Sequence, residues 1–174
     1  MTPNKTWIAY STIVRSEVQR FLRIWTQTFL PPVITTTLYY IIFGKFIGSQ
    51  VEAVGAYSYM QFIVPGLVMM AVITSAFMNV VSSFFGAKFQ KQLEELLVAP
   101  VSPLTVVAGY VTGGVLRGLL TGVLVLVVAL FFTQLTVAHL WALIFFALLT
   151  SIFFSLLGLI TGIYAKNFDG VQII

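Results

Sequence analysis

Residues 118 to 165 contain no Asp, Glu, Lys or Arg, and neither do residues 24–44, 53–87 and 96–116. Runs of this length decide the fold class before any motif is read. A bilayer core takes about 20 apolar residues per helix, so the longest run holds two crossings with a turn between them. Within it the pattern is continuous, as in VLVLVVALFF, where a membrane barrel would alternate apolar and polar residues at period two. Charged residues are only 8% of the chain and the mean hydropathy is +1.03, against roughly 25% charged in a soluble domain. The chain therefore reads as an all-α, polytopic transmembrane helical bundle.

Four spans are predicted, at 24–43, 60–86, 104–132 and 140–164. The closing VQII resembles the opening of a fifth, so the chain is expected to be truncated. Span one carries Pro31 and Pro32, tolerated in a membrane helix when neighbours satisfy the freed carbonyls. The loop GKFIGSQVEAVGAYSY separates spans one and two, and QLTVAH turns the chain between spans three and four. Residues 1–23 form a separate unit. There Trp7, Tyr10, Val14, Val18 and Phe21 recur at helical spacing, continued by Trp25, with Arg15, Ser16, Gln19, Arg20 and Arg23 on other faces. This predicts an amphipathic helix lying in the membrane interface, with contacts to lipid, and the plainer alternative is a solvated helix packed on a neighbour.

Basic residues orient the bundle. With the N-terminus inside, Lys5, Arg15, Arg20, Arg23, Lys88, Lys91 and Lys166 fall on the cytoplasmic side and only Lys45 outside. The net charge of +4 is thus a topology signal, and no basic patch suited to nucleic acid is present. No signal-peptide pattern precedes the first span. With no cysteine, disulfides and thiolate metal sites are excluded.

Between spans two and three the sequence KFQKQLEELLVAPVSP gathers Lys88, Lys91, Glu94 and Glu95. Phe89, Leu93, Leu96 and Leu97 share one face of a short helix there, and Pro100 and Pro103 end it. Read as one helix, the segment has lysines early and glutamates late, against the macrodipole, and a Lys91–Glu95 pair in the weaker orientation. Order of that kind suits a segment held by a partner, and a plain solvated loop is the other reading.

The basic amphipathic start, the Pro-Gly in FIVPGLVMM and the segment EELLVAPVS together resemble the ABC-2 family of ATP-binding-cassette transporter permeases, over the whole chain. The resemblance implies a bacterial inner-membrane subunit, six spans in the complete fold, and a homodimer built mainly with the first and fifth spans. It implies a separate cytoplasmic ATPase and no cofactor in this chain. Residues 88–101 correspond to the coupling helix, so Lys91, Glu94, Glu95, Leu96 and Leu97 are the expected ATPase contacts. Residues 1–23 correspond to the connecting helix, ahead of a transmembrane domain at 24–174. No G-x-x-x-x-G-K-[ST] motif occurs, since FGKFIG and FGAKFQ have the wrong spacing.

Arg117 is the one formal charge inside a predicted span, at about 2.5–3.5 kcal/mol on insertion scales. It shares a narrow arc with Tyr110, Gly114 and Thr121. Two readings stay open: a contact to an anionic substrate or lipid headgroup, and a structural arginine bonded to backbone carbonyls, which we take first. Glycines 109, 113, 114, 118 and 122, with 158 and 162, permit close helix packing. Thr35, Thr36, Thr37, Tyr39 and Tyr40 could line a route with Arg117, or bond to their own helix. His139 and Glu52 are isolated and make neither a metal site nor a dyad. An ion-coupled secondary transporter is the alternative function, disfavoured by the lack of intramembrane Asp, Glu or His. A membrane enzyme would need a nucleophile and base that the chain does not show.

Overall fold

The computed structural model describes residues 3–47, 58–134 and 139–165, and those residues form a helical bundle. In chain order the helices are α1 (Pro3–Arg23), α2 (Trp25–Ile41), α3 (Tyr59–Phe89), α4 (Gln92–Val98), α5 (Pro103–Leu130) and α6 (Leu140–Tyr164). A π-helical turn, Ile42–Ile47, extends α2. Two of the starts have a local cause. Ser58 accepts from the Gln61 backbone N–H at 3.3 Å while Gln61 Oε1 accepts from Ser58 N at 3.1 Å, a capping box that opens α3. Pro103 opens α5 at a position where a missing N–H costs nothing.

Among the described residues three helices, α3, α5 and α6, are long and apolar enough to cross a membrane. The predicted span one differs. Its α-helical part, α2, has only 17 residues, and the backbone continues to Ile47 with π geometry. Pro31 and Pro32 supply no N–H to the preceding turn. Hydroxyls occupy carbonyls nearby: Thr28 donates to Ile24 O at 3.0 Å, Thr36 to Pro32 O at 2.6 Å and Thr37 to Val33 O at 2.7 Å. The loop between spans one and two (beyond Ile47, with Glu52), most of QLTVAH, Lys166 and the fifth-span opening lie outside the described residues.

The central helix is α3, packed along its length by α5 and α6. Small residues set how closely these axes approach. A Cβ on Gly118 would sit 2.9 Å from Ala76 Cβ and 3.1 Å from Val72 O, and one on Gly158 only 2.7 Å from Phe77 O. The glycine pattern therefore serves packing within the chain. Two apolar clusters close the bundle. One joins Tyr40, Met60, Val64 and Ala129; the other joins Val80, Phe84, Tyr110 and Leu159, with Ile13 and Leu93 against it. Helix α6 leaves Phe145, Phe146, Leu149, Phe153 and Ile160 exposed, a face compatible with lipid.

Helix α1 packs on α5, where a Cβ on Gly109 would meet Ile13 at 2.6 Å and one on Gly113 would meet Glu17 at 2.7 Å. Trp7 and Ile8, exposed on another face, keep an apolar surface outward. The helix is amphipathic as expected, but it also buries a carboxylate, Glu17, that the pattern does not single out.

Candidate functional site: a hydroxyl-lined cavity and a buried polar seam

A half-enclosed cavity of about 330 Å³ lies between α2 and α3, with α5 contributing Arg117. Thr35 and Tyr39 line it together with Arg117, so the three residues proposed from sequence for a route are brought to one space. Gln27, Thr28, Pro31, Pro32 and Thr36 complete the α2 wall. Gln27 and Thr28 stand four residues before Pro31 and Pro32, whose missing N–H groups leave those two carbonyls without their usual helix donor. The α3 wall mixes Met70 and Met78 with Thr74 and Ser75. Several of these hydroxyls are committed within the protein: Thr74 donates to Met70 O at 2.9 Å, and Ser75 pairs with Thr121 at 2.8 Å.

Beside the cavity runs a polar seam. Ser75, Asn79 and Ser83, spaced every four residues on α3, are all buried. Asn79 stands at the centre, with no exposed surface. Arg20 Nη2 donates to Asn79 Oδ1 at 2.9 Å, to Asn79 O at 3.2 Å and to Glu17 Oε2 at 2.9 Å. Asn79 Nδ2 donates to Glu17 Oε2 at 3.2 Å, and Ser83 donates its hydroxyl to Glu17 Oε1. From the other side Arg117 Nη1 reaches Asn79 Oδ1 at 3.4 Å. A buried carboxylate is expensive unless paired and hydrogen-bonded, and Glu17 meets both conditions. Arg117 does not bond to backbone carbonyls in the described residues: its one hydrogen bond there is to the Asn79 amide, and its Nε is buried without a partner.

Glu17, Asn79 and Ser83 escaped the sequence reading. A signal was present in the spacing of Ser75, Asn79 and Ser83 inside a charge-free run, with Glu17 the first acid of the chain.

The charged segment resolves into two helices, and this corrects the reading of its charge order. Helix α3 continues to Phe89, so Lys88 lies in its last turn. Lys91 precedes α4 in the left-handed conformation, φ 59°. Glu94 and Glu95 consequently occupy the first turn of α4, where the dipole favours them. Unfavourable charge order thus gives no argument for a partner. Lys88 Nζ instead donates to Ile163 O at 2.8 Å and Ala165 O at 3.0 Å, closing the C-terminus of α6. Phe89 belongs to α3, whereas Leu93 of α4 packs on the core cluster with Phe84 and Tyr110. Lys91, Glu94 and Glu95 are exposed and Leu96 is half-buried. The side chain of Leu97 lies outside what the structure describes. His139 precedes α6 and makes no side-chain cap.

The sequence profile of the ABC-2 type transporter family matches residues 8–174. The chain belongs to that family. This ABC-2 chain is also 55% identical over 169 residues to the inner membrane transport permease YadH of Escherichia coli K12, and the same figures hold for YadH of Shigella flexneri. The match covers 97% of this chain and 66% of those relatives, so the ABC-2 chain spans just under two thirds of their length. No solved structure matches it. Family and apolar helices together identify a multi-pass membrane segment of the ABC-2 type transporter family.

Proposed function

We propose that the chain is the membrane-spanning subunit of an exporter, moving an unidentified substrate across the bacterial inner membrane with ATP hydrolysed by a separate cytoplasmic ATPase, and that it works as a homodimer with its N-terminus in the cytoplasm. The observation that carries the reading is α4. This short helix and the Lys91 that precedes it leave Lys91, Glu94 and Glu95 exposed between α3 and α5, while Leu93 is seated on the cluster of Val80, Phe84, Tyr110 and Leu159. A push on its outer surface bears directly on α3 and α5. Leu96 and Leu97 complete the proposed ATPase contact, and the cavity lined by Thr35, Tyr39 and Arg117 is the proposed route. One observation favours the ion-coupled alternative, the buried carboxylate of Glu17. Its oxygens are taken up by Arg20, Asn79 and Ser83, which disfavours a proton-carrying role.

The test is co-purification of the protein with its cognate cassette ATPase. Glu94→Lys combined with Glu95→Lys should abolish stimulated ATP turnover or complex formation, with membrane insertion unchanged. Wild-type co-purification and turnover after the double swap would remove α4 as the docking element.

A further inference from the structure

We infer that the cavity between α2 and α3 takes an amphipathic anion, a phosphate or carboxylate head on an apolar chain, with Arg117 receiving the head. This rests on the permease reading of the same cavity and names the class of molecule it would hold.

Charge accounting inside the bundle carries the inference. Three ionised groups meet around Asn79: Glu17, Arg20 and Arg117. Arg20 and Glu17 form the ion pair, at 2.9 Å. Both carboxylate oxygens of Glu17 are further occupied by Asn79 and Ser83. Arg117 is left over. A guanidinium stays protonated in proteins and presents five donors, yet its single acceptor among the described residues is a neutral amide at 3.4 Å that already serves Arg20 at 2.9 Å. Nε is buried with nothing to donate to. Among the described residues no Asp or Glu lines the cavity that the side chain borders. Among the described residues two guanidiniums thus share the one carboxylate of Glu17, so the cluster keeps a net positive charge at span depth; an added anion would balance it, and the cavity is the open approach.

The walls supply the rest of the specification. Hydroxyls on α3 are engaged within the protein, as Thr74 is with Met70 O. The strong donor in the cavity is therefore Arg117, with the exposed residues Thr35 and Tyr39 lining the α2 wall. Met70 and Met78 add adaptable thioether surface, which fits an alkyl chain without demanding one shape.

Equilibrium binding of radiolabelled dodecyl phosphate to the protein in phosphatidylcholine nanodiscs tests this. Inorganic phosphate and dodecyltrimethylammonium serve as head-only and opposite-charge probes. Dodecyl phosphate should bind, Arg117→Gln should weaken it by about tenfold or more, and Arg117→Lys should recover part of the loss. Thr35→Trp leaves the guanidinium intact and fills the space from α2, and it should weaken binding to a similar degree. Wild-type affinity in either Arg117→Gln or Thr35→Trp, or equal binding of the cationic probe, would overturn the proposal. Inorganic phosphate competing at the affinity of dodecyl phosphate would overturn its amphiphile part. Displacement by nanodiscs containing phosphatidylglycerol assigns the ligand to the membrane, and its absence to a soluble amphiphile. No ATPase enters this assay, so its failure leaves the permease reading standing, and loss of ATPase coupling leaves this result standing.

Discussion

Asn79 and Glu17 are 62 residues apart in the chain and meet at 3.2 Å, the amide of α3 donating to the carboxylate of α1. That contact ties the amphipathic helix to the centre of the bundle. It also places Arg117 two bonds from α1, because Asn79 Oδ1 accepts from Arg117 on its other side.

A network sharing one amide is not the sum of its pairs. Glu17→Ala alone takes the ion-pair partner from Arg20 and the acceptor from the Asn79 amide, and Asn79→Ala alone takes one donor from Glu17 and the acceptor from Arg117, so each should cost roughly 2–4 kcal/mol, short of a fully buried pair because Arg20 keeps partial solvent access. In the double variant the second loss is smaller, and the two effects should fall short of additivity by about 1 kcal/mol or more. Thermal unfolding of the four proteins in one detergent gives the cycle. Strict additivity would mean that Glu17 and Asn79 act separately.

How much of this could be read from sequence depends on what each residue's neighbours reveal. Helix α6 was predicted at its observed bounds, since a charge-free run flanked by turn residues has one way to sit in a bilayer. Thr35, Tyr39 and Arg117 were named as a possible route because they are polar side chains inside predicted spans, and they do share a cavity. The burial of Glu17 was not legible. An amphipathic pattern assigns every charge to the outward face, and only the glycines of α5 and the amide of Asn79, far away in sequence, make an inward place for a carboxylate. The break between α3 and α4 was equally hidden, because nothing in FQKQLEE announces that a lysine will adopt a left-handed backbone.

Lys88 offers a direct check on that break. Its ammonium holds the last carbonyls of α6. Lys88→Met should leave those carbonyls without their donor, costing about 1 kcal/mol, and amide exchange should quicken in the final turn of α6 while α3 keeps its protection. Lys88→Arg should preserve slow exchange there. Unaltered exchange in the methionine variant would show that the two carbonyl contacts contribute nothing to the helix end.

Strain at Lys91 predicts an unusual gain. A residue with a Cβ pays roughly 1–2 kcal/mol to enter the left-handed region, where glycine pays none. Lys91→Gly should therefore raise the melting temperature slightly or leave it level despite the lost charge, whereas Lys91→Val, branched at Cβ, should lower it. A marked drop for glycine would mean that the lysine side chain holds the turn.

The glycines separate packing from propensity most cleanly. Gly86 and Gly118 both lie inside long helices, so alanine at either should add up to about 1 kcal/mol of helix propensity. At Gly86 a Cβ meets nothing within 4 Å, and the full gain should appear as a higher melting temperature. At Gly118 it meets Ala76 Cβ at 2.9 Å and the Val72 carbonyl at 3.1 Å. Overpacking of that kind costs about 1–3 kcal/mol and exceeds the propensity gain, so Gly118→Ala should melt lower than the wild type. A Cβ on Gly158 would sit 2.7 Å from the backbone oxygen of Phe77, which cannot swing aside as a side chain can, and Gly158→Ala should be the worst of the three. Any other order in the melting temperatures would mean that α3, α5 and α6 do not approach as closely as the small residues between them permit.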